Sequence, residues 1–225
     1  MPVEKHNSPR NSVAWLLNIA LGFPWLEIFS ETWKVLRALS RGLADEGIYE
    51  VLEYEATLEL CDTTGKQALF TKRQRVRYLQ NDIIAYQDQA WGDGDILIDY
   101  RCTPGVAVDK HRPGQKTYIL ISLRAAKQRG EEDEFRIEWR QKNGFVRDNE
   151  LWETEVGHRT RHLKIAVIFP QERPPHRTWL VEQMRRRTIP LHDKAQTQLP
   201  DGRWRVQWTT HKPRLHERYG LGWEW

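Results

Sequence analysis

Strict alternation of apolar and charged residues is the feature that most constrains this chain. Residues 52–60 place Leu, Tyr and Ala at the even positions and Glu or Thr at the odd ones. Residues 66–79 alternate in the same way, with apolar residues on one face and arginines on the other. The three residues ending in Gly65 suit a hairpin loop with glycine in the left-handed conformation. The two runs therefore predict an antiparallel hairpin with one buried face.

The loop length also predicts the register of this hairpin. The predicted pairs across the two strands are Asp62 with Lys66, Glu59 with Leu69, Glu55 with Arg73, and Glu53 with Arg75. A row of glutamates would then lie beside a row of arginines. We expect this charged face to be solvated and neutralised by its own pairs.

Two apolar runs predict strands that are buried on both faces. Residues 116–125 lack helical spacing, and we take them as the central strand, while residues 162–169 form a second such run. The spacing within residues 178–187 predicts a short helix with a basic end. The final strands carry a same-face aromatic stripe that we expect to cover the core. The pattern predicts an antiparallel β-sandwich of immunoglobulin-like architecture, with a closed barrel as the alternative.

The first part of the chain differs in character from the rest. Residues 13–29 contain no Lys or Arg, and Pro24 suits the first turn of a second helix. We therefore predict a helical pair in residues 1–45, followed by one β-domain in residues 46–225. Its large apolar residues either pack on the β-domain or dock on a protein partner or a membrane surface. The candidate docking residues are Trp15, Leu16, Trp25, Phe29 and Trp33.

The charge balance permits a nucleic-acid partner without implying one. The chain has 35 Lys and Arg against 31 Asp and Glu, which gives a formal charge of +4. A nucleic-acid-binding protein is the first alternative function. The arginines that would carry it are Arg73, Arg75, Arg77, Arg185, Arg186, Arg187, Arg203 and Arg205.

A hydrolase with an acidic site is the second alternative. The densest group of carboxylates lies in residues 88–99 and comprises Asp88, Asp93, Asp95 and Asp99. Its spacing does not match a calcium-binding loop, and hairpin turns commonly contain Asp and Gly. His158 and His162 lie four residues apart without a matching ligand set, so we interpret them as structural.

No motif for catalysis, nucleotide binding or metal binding is present in this sequence. We therefore expect a non-catalytic module that binds a protein partner, as a subunit of a larger complex, with no cofactor, metal or identifiable small-molecule ligand. Two cysteines, Cys61 and Cys102, fit a reducing compartment. We predict a cytoplasmic protein, with membrane association, if any, through residues 13–39.

Overall fold

The chain folds almost entirely into β-strands over the part that the structure describes. A computed structural model covers residues 47–192 and 195–225. The strands are β1 (Tyr49–Leu60), β2 (Gln67–Tyr78), β3 (Ile83–Ala90), β4 (Asp95–Thr103), β5 (Val106–His111), β6 (Thr117–Lys127), β7 (Glu132–Lys142), β8 (Asn149–Glu155), β9 (Thr160–Phe169), β10 (Arg177–Glu182), β11 (Arg187–Pro190), β12 (Gln196–Gln198), β13 (Trp204–His211) and β14 (Arg218–Glu224).

These strands form three open sheets. The largest has seven strands in the order β12-β13-β9-β1-β2-β7-β4. A four-stranded sheet has the order β11-β10-β14-β8, and a three-stranded sheet has the order β3-β6-β5. All pairings are antiparallel except that of β1 with β9, which is parallel. The mainly β prediction with antiparallel sheets is confirmed apart from this one parallel pair, and the described strands do not close into the barrel that was the alternative.

Both smaller sheets contact the same face of the seven-stranded sheet. On the four-stranded side, the ring of Trp152 meets that of Phe70 at 5.9 Å between centroids. On the three-stranded side, the ring of Tyr86 stacks on Phe135 at 3.9 Å. The apolar residues of each strand alternate with polar ones, so every sheet buries one face against the other layer. The arrangement is sandwich-like.

The predicted central strand has a different place in the fold. Residues 117–127 form β6, which is the middle strand of the three-stranded sheet and carries the buried Ile119 and Ile121. The middle of the largest sheet is instead β1, whose neighbours are β9 and β2. Burial on both faces identified a strand correctly but could not identify the sheet to which it belongs.

The predicted hairpin register is confirmed. β1 and β2 pair Glu59 with Leu69, Glu55 with Arg73 and Glu53 with Arg75. The turn is closed by the Asp62 carboxylate, which accepts hydrogen bonds from the Thr64 and Gln67 amides, each at 2.7 Å.

Gly65 has the predicted left-handed conformation, with φ of +69°. It also packs against a distant part of the chain, because a Cβ atom there would lie 1.7 Å from the carbonyl oxygen of Phe145. The Phe145 amide donates to the carbonyl of Gly65 at 3.1 Å. The hairpin tip is therefore tied to the segment that follows β7.

The predicted helix at residues 178–187 is wrong. This segment forms β10, a turn and the start of β11, with Leu180 opposite Ile189. Arg186 takes a positive φ of +51° in the turn, which a helix does not permit. Leu180 is buried between the layers, so tertiary packing overrides the weak helical spacing.

The predicted helical pair and its docking residues Trp15, Leu16, Trp25, Phe29 and Trp33 lie outside the described residues. The structure therefore leaves that prediction untested. Within residues 47–192 and 195–225, no helix has the length and apolar character needed to cross a bilayer.

Candidate functional site: a cleft along the open edge of β8

A cleft of about 440 Å³ lies beside β8. This volume falls within the range of roughly 300 to 1,000 Å³ that is typical of ligand pockets. One wall is β8 itself, with Trp179 of β10 beyond it. The rest of the lining comes from the turn after β3, from β7 and from the segment between β7 and β8. The lining residues are Trp91, Gly92, Asp93, Gln141, Gly144, Phe145, Arg147, Asn149, Glu150, Leu151, Trp152, Glu153 and Trp179.

β8 is an edge strand, and its outward backbone groups face away from β14. Two hydrogen bonds at the ends of the β8–β14 pair show which residues of β8 bond to β14. Trp225 donates to the carbonyl of Asp148, and Val156 donates to the carbonyl of Glu217. In an antiparallel pair, such bonds recur at every second residue. The even-numbered residues of β8 therefore bond to β14. The N–H and C=O groups of Leu151 and its odd-numbered neighbours point to the open side.

The other described edge strands carry features that oppose pairing with a further strand. The register shifts twice along β4 and once in each of β3 and β5. β12 has three residues, and β11 has four residues and ends at Pro190. Irregular register, short length and proline all blunt a sheet edge. β8 instead pairs all seven of its residues with β14 without a shift.

Carboxylates on β8 differ in how well they are paired. Glu155 contacts Lys116 and, at 3.3 Å, Arg218. Glu150 is buried and accepts a hydrogen bond from the Arg147 amide at 2.6 Å, and burial raises its pKa above the usual value. Within the described part of the chain, the buried Oε1 of Glu153 has no hydrogen-bond partner.

Three tryptophans line the cleft, namely Trp91, Trp152 and Trp179. Two cations lie near the ring of Trp91, with Lys116 at 5.2 Å and Arg218 at 5.8 Å from its centroid. Trp179 lies across Gly222, where a Cβ atom would come within 2.2 Å of the indole nitrogen. Only glycine permits this close approach, so the ring packs directly against the backbone of β14.

The arginines predicted for nucleic acid occupy two separate places. Arg73, Arg75 and Arg77 lie on the exposed face of the seven-stranded sheet and pair with glutamates at 2.6 to 3.3 Å. On the same face, Arg203 pairs with Glu59 and Asp201, while the buried Nε of Arg205 has no hydrogen-bond partner among the described residues.

The remaining three lie in the turn between β10 and β11 and at the first residue of β11. Arg185 and Arg187 lie 3.6 and 3.9 Å from Glu182, and Arg186 is exposed. The structure thus supports the expectation of a charged face neutralised by its own pairs, and the nucleic-acid alternative stays a prediction.

The acidic group of residues 88–99 does not assemble into one site. Asp88 is buried against Lys72, while Asp93 and Asp99 are exposed and lie 3.2 Å from Arg147 and 3.6 Å from Arg140 respectively. Asp95 is exposed at the start of β4. Across residues 47–192 and 195–225, no group of three or more His, Cys, Asp or Glu side chains is placed to hold a metal ion.

The two histidines also lie in different surroundings. His158 packs against Tyr49 at 4.3 Å between ring centroids, and burial lowers its pKa to about 4, helped by the positive charges of His216 and Lys72. His162 instead lies beside His211 on the seven-stranded sheet.

Sequence reasoning missed the cleft. Alternation predicts which face of β8 is buried, but its edge position depends on pairing with β14, about seventy residues further along the chain. Sequence reasoning also missed that Lys72 is buried, although its position in the alternation of β2 indicates it. Lys72 and Gln74 share the parity of Phe70 and Val76, and all four face the inner layer.

Comparison with known proteins adds little to this picture. No protein-family model and no curated protein matches the sequence. Among solved structures, the fold resembles an M1 zinc metallopeptidase from Deinococcus radiodurans, with a TM-score of 0.44 and 9% sequence identity. A variant of that peptidase bound to a Tyr-Ser-Ala substrate gives a TM-score of 0.46 and 10% identity. Each comparison covers 77% of this chain but only 42% of the peptidase chain. Similarity at this level supports no inference about activity.

Proposed function

We propose that the chain is a non-catalytic interaction module that binds an extended segment of a partner protein by adding it as a strand beside β8. In this mode, main-chain hydrogen bonds supply affinity, and pockets for alternate side chains supply specificity.

The observation that carries the proposal is the regular open edge of β8 inside a walled cleft. β8 pairs without a register shift, and its odd-numbered backbone groups face the open side. The neighbouring turns leave about 440 Å³ beside it. An exposed, regular edge strand can pair with other chains and cause aggregation. An edge strand that is nevertheless left unpaired beside a cleft therefore favours binding of a specific segment.

The two sides of an added strand would meet different surfaces. One set of alternate side chains would face inward, toward Trp152 and Phe145. The other set would face outward, toward Glu153 and Trp179. This difference would fix the register and the direction of the bound segment.

Selection from a library of displayed random nine-residue peptides against the full-length chain tests the proposal. Selected peptides are then resynthesised with N-methyl groups on either set of alternate residues, and affinity is measured by fluorescence anisotropy. An added strand pairs along one side only, so methylation of one set should abolish binding and methylation of the other should be tolerated. Absence of any selected peptide, or equal tolerance of both methylated forms, would refute strand addition.

A matched pair of protein variants locates the binding edge. Leu151→Pro removes an N–H that faces the cleft and leaves the bonds to β14 in place, whereas Leu151→Thr keeps the N–H. Leu151 is 37% exposed, so both variants should fold. We expect only the proline variant to lose the selected peptides, with melting curves confirming that both are folded.

The N-terminal predictions remain part of this proposal. Docking of residues 13–39 on a protein or a membrane surface, a cytoplasmic location and membership of a larger complex are compatible with a binding module. A pull-down from the native host with the full chain and with residues 46–225 alone tests them.

A further inference from the structure

We propose that the segment bound beside β8 carries a lysine or arginine side chain that pairs with Glu153. This inference rests on the proposed function, because it names the chemistry that the same cleft selects.

The contrast between two glutamates of β8 carries the argument. Glu153 and Glu155 lie two residues apart and therefore on the same face of the strand. Lys116 and Arg218 neutralise Glu155. The Oε1 atom of Glu153 is buried, and no described residue donates a hydrogen bond to it. A buried carboxylate oxygen without a donor is costly, so this position favours a ligand that brings one.

The glycines of β14 shape the space around this carboxylate. Gly220 lies opposite Glu153 in the ladder, and a Cβ at Gly220 would approach the Glu153 Cγ to 3.0 Å. The side chain of Glu153 therefore lies against bare backbone on one side. Its other side borders the cleft, where a strand added beside β8 would place a side chain about 4.5 to 5.5 Å away between Cβ atoms.

The aromatic walls suit a cation in the same place. Trp179 packs against Gly222 on this face of the sheet, and Trp91, which also lines the cleft, already has the cations Lys116 and Arg218 near its ring. A cation placed near an indole face gains further stabilisation, and more so when it is shielded from water. Carboxylate and indole together define a site for a basic side chain.

The peptide selection described above tests this inference when it is run in parallel on the wild type and on Glu153→Gln. Lys or Arg should be enriched at one position of the peptides selected by the wild type, and this enrichment should disappear with Glu153→Gln. Replacing that residue by Gln in a selected peptide should weaken wild-type binding by about 10- to 100-fold, the range of a charged hydrogen bond. Glu138→Gln, on an exposed position of β7, serves as the control and should select the same basic residue.

The outcomes separate this inference from the function on which it rests. Peptides that bind through one set of backbone amides but show no basic preference would overturn the inference and leave strand addition intact. A basic preference that survives Glu153→Gln would also overturn it. A basic preference that depends on Glu153 but tolerates both N-methylated forms would instead refute strand addition.

Discussion

Lys72 and Asp88 form a buried ion pair between β2 and β3. Their side chains are 6% and 2% exposed, and the Tyr100 hydroxyl donates to the second oxygen of Asp88 at 2.9 Å. The Lys72 ammonium also lies 5.8 Å from the ring centroids of Tyr54 and Tyr86. Burial alone would lower the pKa of Lys72, but the Asp88 charge beside it raises the pKa overall. Lys72 is therefore charged at neutral pH.

Removing one partner of this pair should destabilise the fold strongly. Lys72→Met leaves the Asp88 charge buried without its cation, which costs about 3 to 5 kcal/mol in comparable buried pairs. We expect that loss in the free energy of unfolding measured by urea denaturation.

The double variant Lys72→Met/Asp88→Asn is the control, because it removes both charges and keeps an acceptor for Tyr100. It should recover most of the lost stability. Equal destabilisation in the single and double variants would show that packing around Lys72, and not charge, accounts for the effect.

His158 should make stability depend on pH in the mildly acidic range. Its pKa is about 4 in the fold against about 6.5 in the unfolded chain, so the unfolded state binds more protons between these values. The contribution is fully present above pH 6.5 and is lost as the pH falls toward 4, by at most about 3 kcal/mol. Denaturant midpoints at pH 7 and pH 5 measure this loss.

His158→Phe isolates the contribution, since it keeps an aromatic ring against Tyr49 but cannot take up a proton. The variant should lose less stability than the wild type between pH 7 and pH 5. An identical loss in both proteins would assign the pH dependence to other groups.

At the scale of elements, hydrogen exchange tests the orientation of β8. The amides of Leu151 and Glu153 face the open side and should exchange quickly, whereas those of Trp152 and Thr154 bond to β14 and should exchange slowly. In β1, which is paired on both sides, neighbouring amides should all be protected. NMR-detected exchange resolves these residues singly, and slow exchange at Leu151 would show that something already covers the edge.

Local patterns predicted single elements well and failed where tertiary contacts decide. The β1–β2 register followed from alternation and from Gly65, because both act over a few residues. The helix predicted at residues 178–187 failed because Trp179 and Leu180 alternate between two environments, one on the outer face and one in the core. The apolar residues of so short a segment fit both the helical and the strand period. The sequence of the segment alone therefore does not show which of the two structures forms.

At the scale of the whole molecule, a charge in the core should prevent folding. Val167 is fully buried in β9, between β1 and β13. Val167→Asp buries an unpaired carboxylate at a cost of several kcal/mol, against a total stability of about 5 to 15 kcal/mol. We expect insoluble or unfolded protein by circular dichroism. Ile168→Thr, on the opposite face of the same strand, should stay folded, and a folded Val167→Asp protein would contradict this packing.

The order of the strands in the sheets could not be predicted from the sequence. The pairing of β1 with β9 and of β8 with β14 joins residues about 110 and 70 positions apart, and alternation alone fits many such partners equally well. The candidate site depends on that order, because β8 is an edge strand only through its position at the end of the four-stranded sheet. The mainly β class was predictable, and the cleft was not.

The tie between Gly65 and Phe145 has a consequence for the kinetics and entropy of binding. Phe145 belongs to the wall of the cleft, and the hydrogen bond from its amide to Gly65 anchors that wall to the β1–β2 turn. If a segment adds beside β8 as proposed, it would meet a surface whose backbone is already ordered, and it would not incur the entropic cost of immobilising that part of the site. The association rate constant should then be typical of preformed surfaces, about 10⁵ to 10⁷ M⁻¹s⁻¹. Differences in affinity among ligands should appear mainly in the dissociation rate constant.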